Sequence, residues 1–159
     1  MIFITLGSQK FQFNRLLIEV DKLVEEGKIK EEVFAQIGYS DYKPQNYKYK
    51  EFLDRDEFTE IIKKCDKIIT HGGTGAIISA VKNNKKVIAI PRLAKYEEHV
   101  DDHQLQIVEQ FEKMQLVKSL TDEKYLEKVL LDIDKYIFLN YESNTCNIIK
   151  SIDDFIQKR

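Results

Sequence analysis

Residues 67–75 read Lys-Ile-Ile-Thr-His-Gly-Gly-Thr-Gly, a short apolar run that passes directly into a glycine-rich turn. The apolar run predicts a buried parallel strand, because strands covered on both faces read as continuous hydrophobic sequence. Ala76–Val81 then predicts a helix, and Lys86–Ile90, which ends at Pro91, predicts a second strand. The sequence therefore indicates a strand, turn, helix and strand, with the glycines at the carboxyl end of the sheet.

This glycine turn has the chemistry of an anion site. The first N–H groups of a helix have no partner inside the helix and lie at the positive end of its dipole, so backbone alone can hold a phosphate. Glycines allow close approach because they lack a β-carbon. All three histidines of the chain (His71, His99, His103) and three of its six glycines lie between residues 71 and 104. A plain tight turn is the alternative interpretation.

The rest of the chain predicts a doubly wound α/β domain with a mainly parallel sheet. Ile2–Leu6 and Val33–Ile37 predict strands, and the apolar positions from Leu16 to Val24 predict a helix between them that ends near Gly27. A third strand is predicted at Asn46–Lys50, followed by a helix through Phe58, Ile61, Ile62 and Cys65 that Asp54 or Asp56 introduces. A helix from Leu105 to Lys113 and a last strand at Leu116–Val117 come next. Two helices are predicted from Thr121 onward, and we expect Thr121 to cap the first of them, with Glu123 or Lys124 in its first turn.

Composition predicts one compact domain over residues 1–159, with residues 121–159 as a helical tail. The chain is 43% hydrophobic and 33% charged, an ordinary globular balance, and its net charge of -2 provides no basic field for nucleic acid. Cys65 and Cys146 have no metal or redox spacing. Since no signal peptide or membrane span is evident, we expect a cytoplasmic protein, held at the inner face of the membrane by a partner if at all.

Four motifs in order resemble the donor-nucleotide half of family 28 glycosyltransferases. They are Gly7-Ser8-Gln9 after the first strand, His71-Gly72-Gly73-Thr74-Gly75, Ile90-Pro91, and Asp102-His103-Gln104. The resemblance runs from Met1 to about Val117. Phe11–Leu17 and Gln36-Ile37-Gly38 are similar to the single-domain branch, which includes the small catalytic subunit of the two-subunit N-acetylglucosaminyltransferase of dolichol-linked glycan assembly and capsule and exopolysaccharide subunits of bacteria.

The resemblance implies the nucleotide-binding half of a GT-B transferase with a Rossmann-like sheet. It also implies a UDP-sugar donor, inversion at the anomeric carbon, a polyprenyl-diphosphate-linked acceptor, and a membrane-anchored subunit that binds this acceptor. No cofactor or metal is expected. The resemblance assigns the donor diphosphate to Gly7, Ser8, Gln9, Gly72, Gly73, Thr74 and Gly75, and the donor sugar and nucleoside to His71, Ser79, Asp102, His103 and Gln104.

This chain departs from the family at one of these positions. Many members have a glutamate that binds both ribose hydroxyls where Ser79 stands, and a serine offers one hydroxyl in place of two carboxylate oxygens. The departure predicts weaker or different ribose recognition. No catalytic base is evident among Glu97, Glu98 and His99.

Several alternatives stay open on the sequence. Asp54-Arg55-Asp56 fits either a divalent metal site or a helix cap, and His99, Asp102 and His103 fit either a metal cluster or donor contacts. Tyr39, Tyr42, Tyr47 and Tyr49 suit either ligand stacking or strand packing. The function could also be that of a nucleotide-sugar epimerase or hydrolase, or that of a non-catalytic activator subunit.

Overall fold

The computed structural model describes residues 1–157 and contains one sheet of six parallel strands. The strands are β1 (Ile2–Thr5), β2 (Val33–Gln36), β3 (Lys48–Lys50), β4 (Lys67–Thr70), β5 (Lys86–Ala89) and β6 (Lys118–Ser119). Their order across the sheet is β3-β2-β1-β4-β5-β6, and every pair is parallel. The predicted Rossmann-like parallel sheet is confirmed.

Six helices connect or follow these strands in residues 1–157, and all but the last pack on a face of the sheet. They are α1 (Asn14–Glu25), α2 (Arg55–Lys64), α3 (Thr74–Lys82), α4 (His103–Lys113), α5 (Leu126–Asp132) and α6 (Thr145–Gln157), with short 3₁₀ turns at Ala94–Tyr96, Glu123–Tyr125 and Ile133–Lys135. Alternate side chains of β1 point to opposite faces, so Ile2 and Ile4 join one core with α1 and α5, whereas Phe3 joins a second core with α2, α3 and α4. No helix within residues 1–157 is long and apolar enough to cross a membrane.

The strand order reverses between β1 and β4. The chain runs from β1 outward to β2 and β3, then returns to β4 on the other side of β1. Thr5 pairs with Thr70, so the two strands end side by side. Loops that leave such a pair diverge and open a crevice, which is where open α/β sheets bind their ligands. The Gly7 turn and the His71 turn both begin at this crevice.

Two predicted boundaries are wrong at the end of the chain. Pairing with β5 begins at Lys118 opposite Ile88, so the last strand is Lys118–Ser119 and not Leu116–Val117. Leu116 and Val117 are buried in the second core where the chain approaches the sheet. The tail does form two helices, but Asp122 and not Thr121 caps the first turn, because the Asp122 side chain accepts a hydrogen bond from the Lys124 N–H. A carboxylate is also the better acceptor at the positive end of a helix.

Asp54 is the N-cap of α2, so the capping interpretation of Asp54-Arg55-Asp56 is confirmed. The Asp54 carboxylate accepts from the Glu57 N–H at 2.8 Å, and the Glu57 carboxylate accepts from the Asp54 N–H at 3.3 Å. This reciprocal pair is a capping box. Asp56 lies in the first turn and adds only its charge. The interpretation of the tyrosines as core and edge-strand packing also holds for Tyr42, Tyr47 and Tyr49, which pack against the first core.

We predict that Asp54→Ala lowers the free energy of unfolding by about 1 kcal/mol, because one cap and its reciprocal bond are lost. Urea unfolding followed by circular dichroism measures this. Asp56→Ala is the matched control and should cost less, since it removes only an interaction with the helix dipole. Unchanged stability of Asp54→Ala together with weaker ligand binding would contradict the capping role.

Candidate functional site

The two glycine turns at the crevice meet around the ring of His71. This residue follows β4, is 6% exposed, and lies between Gly7 and Gly73. A β-carbon added at Gly73 would lie 2.3 Å from Nε2 of His71, and one added at Gly7 would lie 2.6 Å from its Cε1. Gly7 also has a φ of +72°, which favours glycine by itself. Glycine is therefore required at both positions by the protein's own packing.

The His71 ring is neutral at physiological pH. Burial, followed by the charge of Arg92, lowers the pKa of His71 to about 4. Nδ1 lies 3.4 Å from the Thr5 carbonyl oxygen, which also accepts a hydrogen bond from the Thr70 hydroxyl. An uncharged ring can pack under both turns without the cost of a buried cation. The structure thus shows a packing role for His71, and its contact with the donor nucleoside stays a prediction.

Gln104 connects the second glycine turn to α4. Its Oε1 accepts hydrogen bonds from the N–H groups of Gly72 and Arg92, each at 3.1 Å, and the residue is 3% exposed. A β-carbon at Gly72 would lie 2.7 Å from Cβ of Gln104, so glycine is needed there for the helix to approach. The side-chain oxygen of Gln104 thus has two hydrogen-bond donors within the protein. Only its side-chain NH2 group is left for the predicted contact with a sugar hydroxyl.

The surface of the crevice is formed by backbone and small polar groups. Gly73 is the N-cap of α3 and no side chain caps this helix, so its first N–H groups have no side-chain partner. Thr74 and Gly75 are exposed beside them, as are Ser8 and Gln9 on the other turn. The family resemblance assigned the diphosphate to these residues, and the topology brings their two turns to one edge of the sheet.

The remaining predicted residues lie on α3 and at the start of α4. Ser79 is half-buried in α3, more than one turn beyond Thr74. His103 is the first residue of α4 and is exposed. Asp102 accepts a hydrogen bond from the Ala94 N–H at 2.8 Å, so its carboxylate holds the loop between β5 and α4.

Arg92 belongs to this site and was missed from the sequence. It is fully buried, and its Nη2 donates to the carbonyl oxygens of Leu6 at 2.8 Å and Phe11 at 3.1 Å. Its Nε and Nη1 have no partner within residues 1–157. Burial lowers the pKa of Arg92 to about 10, so the guanidinium keeps its charge at neutral pH. A buried positive charge with free hydrogen-bond donors therefore lies next to the Gly7 turn.

Glu98 is near enough to stabilise the Arg92 charge, but its direct salt bridge is with Arg15. Arg15 Nε donates to Glu98 Oε1 at 2.7 Å, and Glu98 Oε2 accepts from the Leu93 N–H at 3.0 Å. Glu98 is 1% exposed; burial raises its pKa and the Arg15 hydrogen bond opposes this. One sequence signal was available, because arginine occurs at only four positions among 25 basic residues. Arginine is favoured over lysine for buried, multiply bonded sites.

The profile of the glycosyltransferase family 28 C-terminal domain matches residues 1–158 of this sequence. The chain belongs to this family. The resemblance predicted from the four motifs is confirmed. No curated protein matches the sequence.

Solved glycosyltransferases share the fold of this family 28 domain. The crystal structure of the glycosyltransferase of kitacinnamycin is 15% identical with a TM-score of 0.62, and the match covers 83% of this chain and 34% of that chain. MurG of Acinetobacter baumannii is 16% identical with a TM-score of 0.58, covering 84% and 40%. The solution structure of ALG13 is 18% identical with a TM-score of 0.59, covering 89% of both chains. The family 28 domain thus spans little more than a third of the first two transferases.

We predict that Gly73→Ala destabilises the family 28 domain by about 1–3 kcal/mol, because the new methyl group overlaps the His71 ring. In a His71→Ala background, Gly73→Ala should lower the free energy of unfolding by clearly less. A double-mutant cycle of unfolding free energies measures the difference.

Gly75→Ala is the matched control for this cycle. A β-carbon there meets nothing within 4 Å and the residue lies inside α3, so stability should stay equal or rise by about 0.5–1 kcal/mol. If Gly73→Ala costs the same with and without the imidazole, His71 does not impose glycine at this position.

Proposed function

We propose that this domain binds a UDP-sugar at the crevice between β1 and β4. Together with a membrane-associated partner subunit, it transfers the sugar, with inversion, to a polyprenyl-diphosphate-linked saccharide in capsule or exopolysaccharide synthesis. The main support for this proposal is that two glycine turns meet where the strand order of the sheet reverses.

The diphosphate would be held by backbone and by one buried charge. The uncapped N–H groups at the start of α3 provide donors and the positive end of a helix dipole. The Arg92 guanidinium lies directly under the opposite turn, bonded to the Leu6 carbonyl. Both features support the binding of an anion without a cation at the diphosphate.

The same groups suit the chemistry of transfer. Negative charge grows on the leaving diphosphate as the glycosidic bond breaks, and fixed N–H donors stabilise that charge without reorganising. The Gly72 N–H is held by Gln104 and the Gly7 turn by Arg92, so these turns are in position before the donor arrives. The catalytic base is left to the partner, since Glu98 is already paired with Arg15.

A partner subunit is supported by an exposed apolar surface. We define the α6 face as Ile148, Ile149, Ile152, Phe155 and Ile156, whose side chains are 52–63% exposed. An amphipathic helix with this pattern fits an apolar groove on another protein. We assign the α6 face to the acceptor-binding subunit.

Two other functions make different predictions. A nucleotide-sugar epimerase or hydrolase would release free UDP or change the sugar in the absence of any acceptor. A non-catalytic activator would bind UDP poorly, and the serine at position 79 in place of the family's glutamate is the observation that favours it. Calorimetric titration with UDP separates the activator from the transferase.

We predict that UDP binds in the presence of excess chelator and that Thr74→Asp weakens this binding by about tenfold or more, because a carboxylate would compete for the N-terminal donors. Thr74 is exposed in the first turn of α3, where aspartate favours the helix, so folding should be preserved. Thr74→Asn is the control of equal size without charge. An absolute requirement for metal would contradict the proposed diphosphate site.

We predict that the isolated domain turns over slowly or not at all with UDP-sugar and a lipid-linked acceptor in detergent, and gains activity when membranes of the source cells are added. Ile152→Asp should remove this gain and leave UDP binding unchanged. Lys150→Asp, on the opposite side of α6, should retain the gain.

Two results would contradict the proposal that a partner subunit binds the α6 face. One is full activity of the isolated domain, unaltered by membranes. The other is self-association through the α6 face, seen by sedimentation and lost in Ile152→Asp, which would show that a second copy covers this surface.

A further inference from the structure

Three side chains at the amino end of α4 converge on one point. They are His99, Asp101 and His103, and one ligand atom from each lies within 4.8 Å of the other two. His99 is 9% exposed and its ring packs against Phe11, with the centroids 4.9 Å apart. Asp101 and His103 are exposed at the surface. The sequence had grouped the histidines with Asp102, whose carboxylate is instead bonded to the Ala94 N–H.

Two contacts of this cluster compete for the same ring nitrogen. His99 Nδ1 lies 3.2 Å from Asp101 Oδ1, and His103 Nδ1 contacts the same oxygen. The Asp101 N–H is directed at His99 Nδ1 from 3.4 Å, which requires a lone pair on that nitrogen. A ring nitrogen cannot both accept this bond and donate to the carboxylate. A cation between the three groups would use the lone pairs of the rings and the charge of the carboxylate together.

We propose that His99, Asp101 and His103 bind a divalent transition-metal ion of the Zn²⁺ class. Two imidazole nitrogens and one carboxylate oxygen are characteristic ligands of Zn²⁺ and of Co²⁺, and three protein ligands leave a position open to water. Mg²⁺ and Ca²⁺ prefer sites made of oxygen ligands and do not match this set.

The cation would fix the loop between β5 and α4. Asp101 already accepts a hydrogen bond from the His103 N–H at 3.1 Å, and the other end of this loop is anchored by Glu98 and Arg92. The cluster contains no group of the glycine turns. This cation site is therefore distinct from the diphosphate site and holds whether or not the domain transfers a sugar.

Cobalt titration tests the proposal. The protein should be free of any affinity tag and carry Cys146→Ser, because an exposed thiol would bind Co²⁺ by itself. We expect one Co²⁺ per chain, a visible d–d absorption of a low-coordinate site, and displacement by Zn²⁺ but not by Mg²⁺. Asp101→Asn and His103→Asn should each weaken binding by about tenfold or more. Glu97→Gln removes an exposed carboxylate of the same loop outside the cluster and should leave binding unchanged.

Three results would overturn the site. They are no Co²⁺ binding by protein that is folded by circular dichroism, binding that survives both Asp101→Asn and His103→Asn, and an equal loss in Glu97→Gln. Because Asp101 and His103 are exposed, neither variant should prevent folding, and thermal melting checks this.

Discussion

The position of the His71 imidazole between Gly7 and Gly73 is the constraint on which the site depends. The ring comes within 3 Å of where either residue would carry a β-carbon, so the first and fourth strands end in turns that only glycine can form. It must be neutral to lie there, and burial ensures this by lowering its pKa to about 4. Gly7 and Gly73 therefore add no side chain of their own to the crevice.

Buried polar groups keep the surrounding loops in place. An unpaired buried polar group is costly, so such residues persist only where the fold gives them partners. Gln104 joins the Gly72 N–H to the Arg92 N–H, and Arg92 joins the two ends of the Gly7 loop. Arg92 is the exception, because part of its guanidinium has no partner in residues 1–157. An anion bound at the Gly7 turn would add a second negative charge near this guanidinium, beside that of Glu98.

Local patterns predicted what depends on neighbours in sequence. The strands at Ile2–Thr5 and Lys67–Thr70 follow from apolar runs, and the Asp54 cap follows from a carboxylate before an amphipathic helix. The role of Arg92 could not be predicted this way, because its bonds reach 81 and 86 residues along the chain. The exposure of the α6 face could not be predicted from the sequence, because an apolar stripe has the same sequence whether it is buried or exposed.

Amide chemical shifts on addition of UDP test the central claim most directly. With chelator present, we expect the largest amide shifts in a ¹⁵N-labelled sample at Gly7–Gln9 and Gly72–Gly75. The Arg92 Nε–H resonance should shift as well. A separate cavity lies between Lys28–Glu31, Lys67 and α5, near the amino ends of β1 and β4. Shifts confined to that cavity, or absent until a metal ion is added, would contradict an anion site built from the two glycine turns.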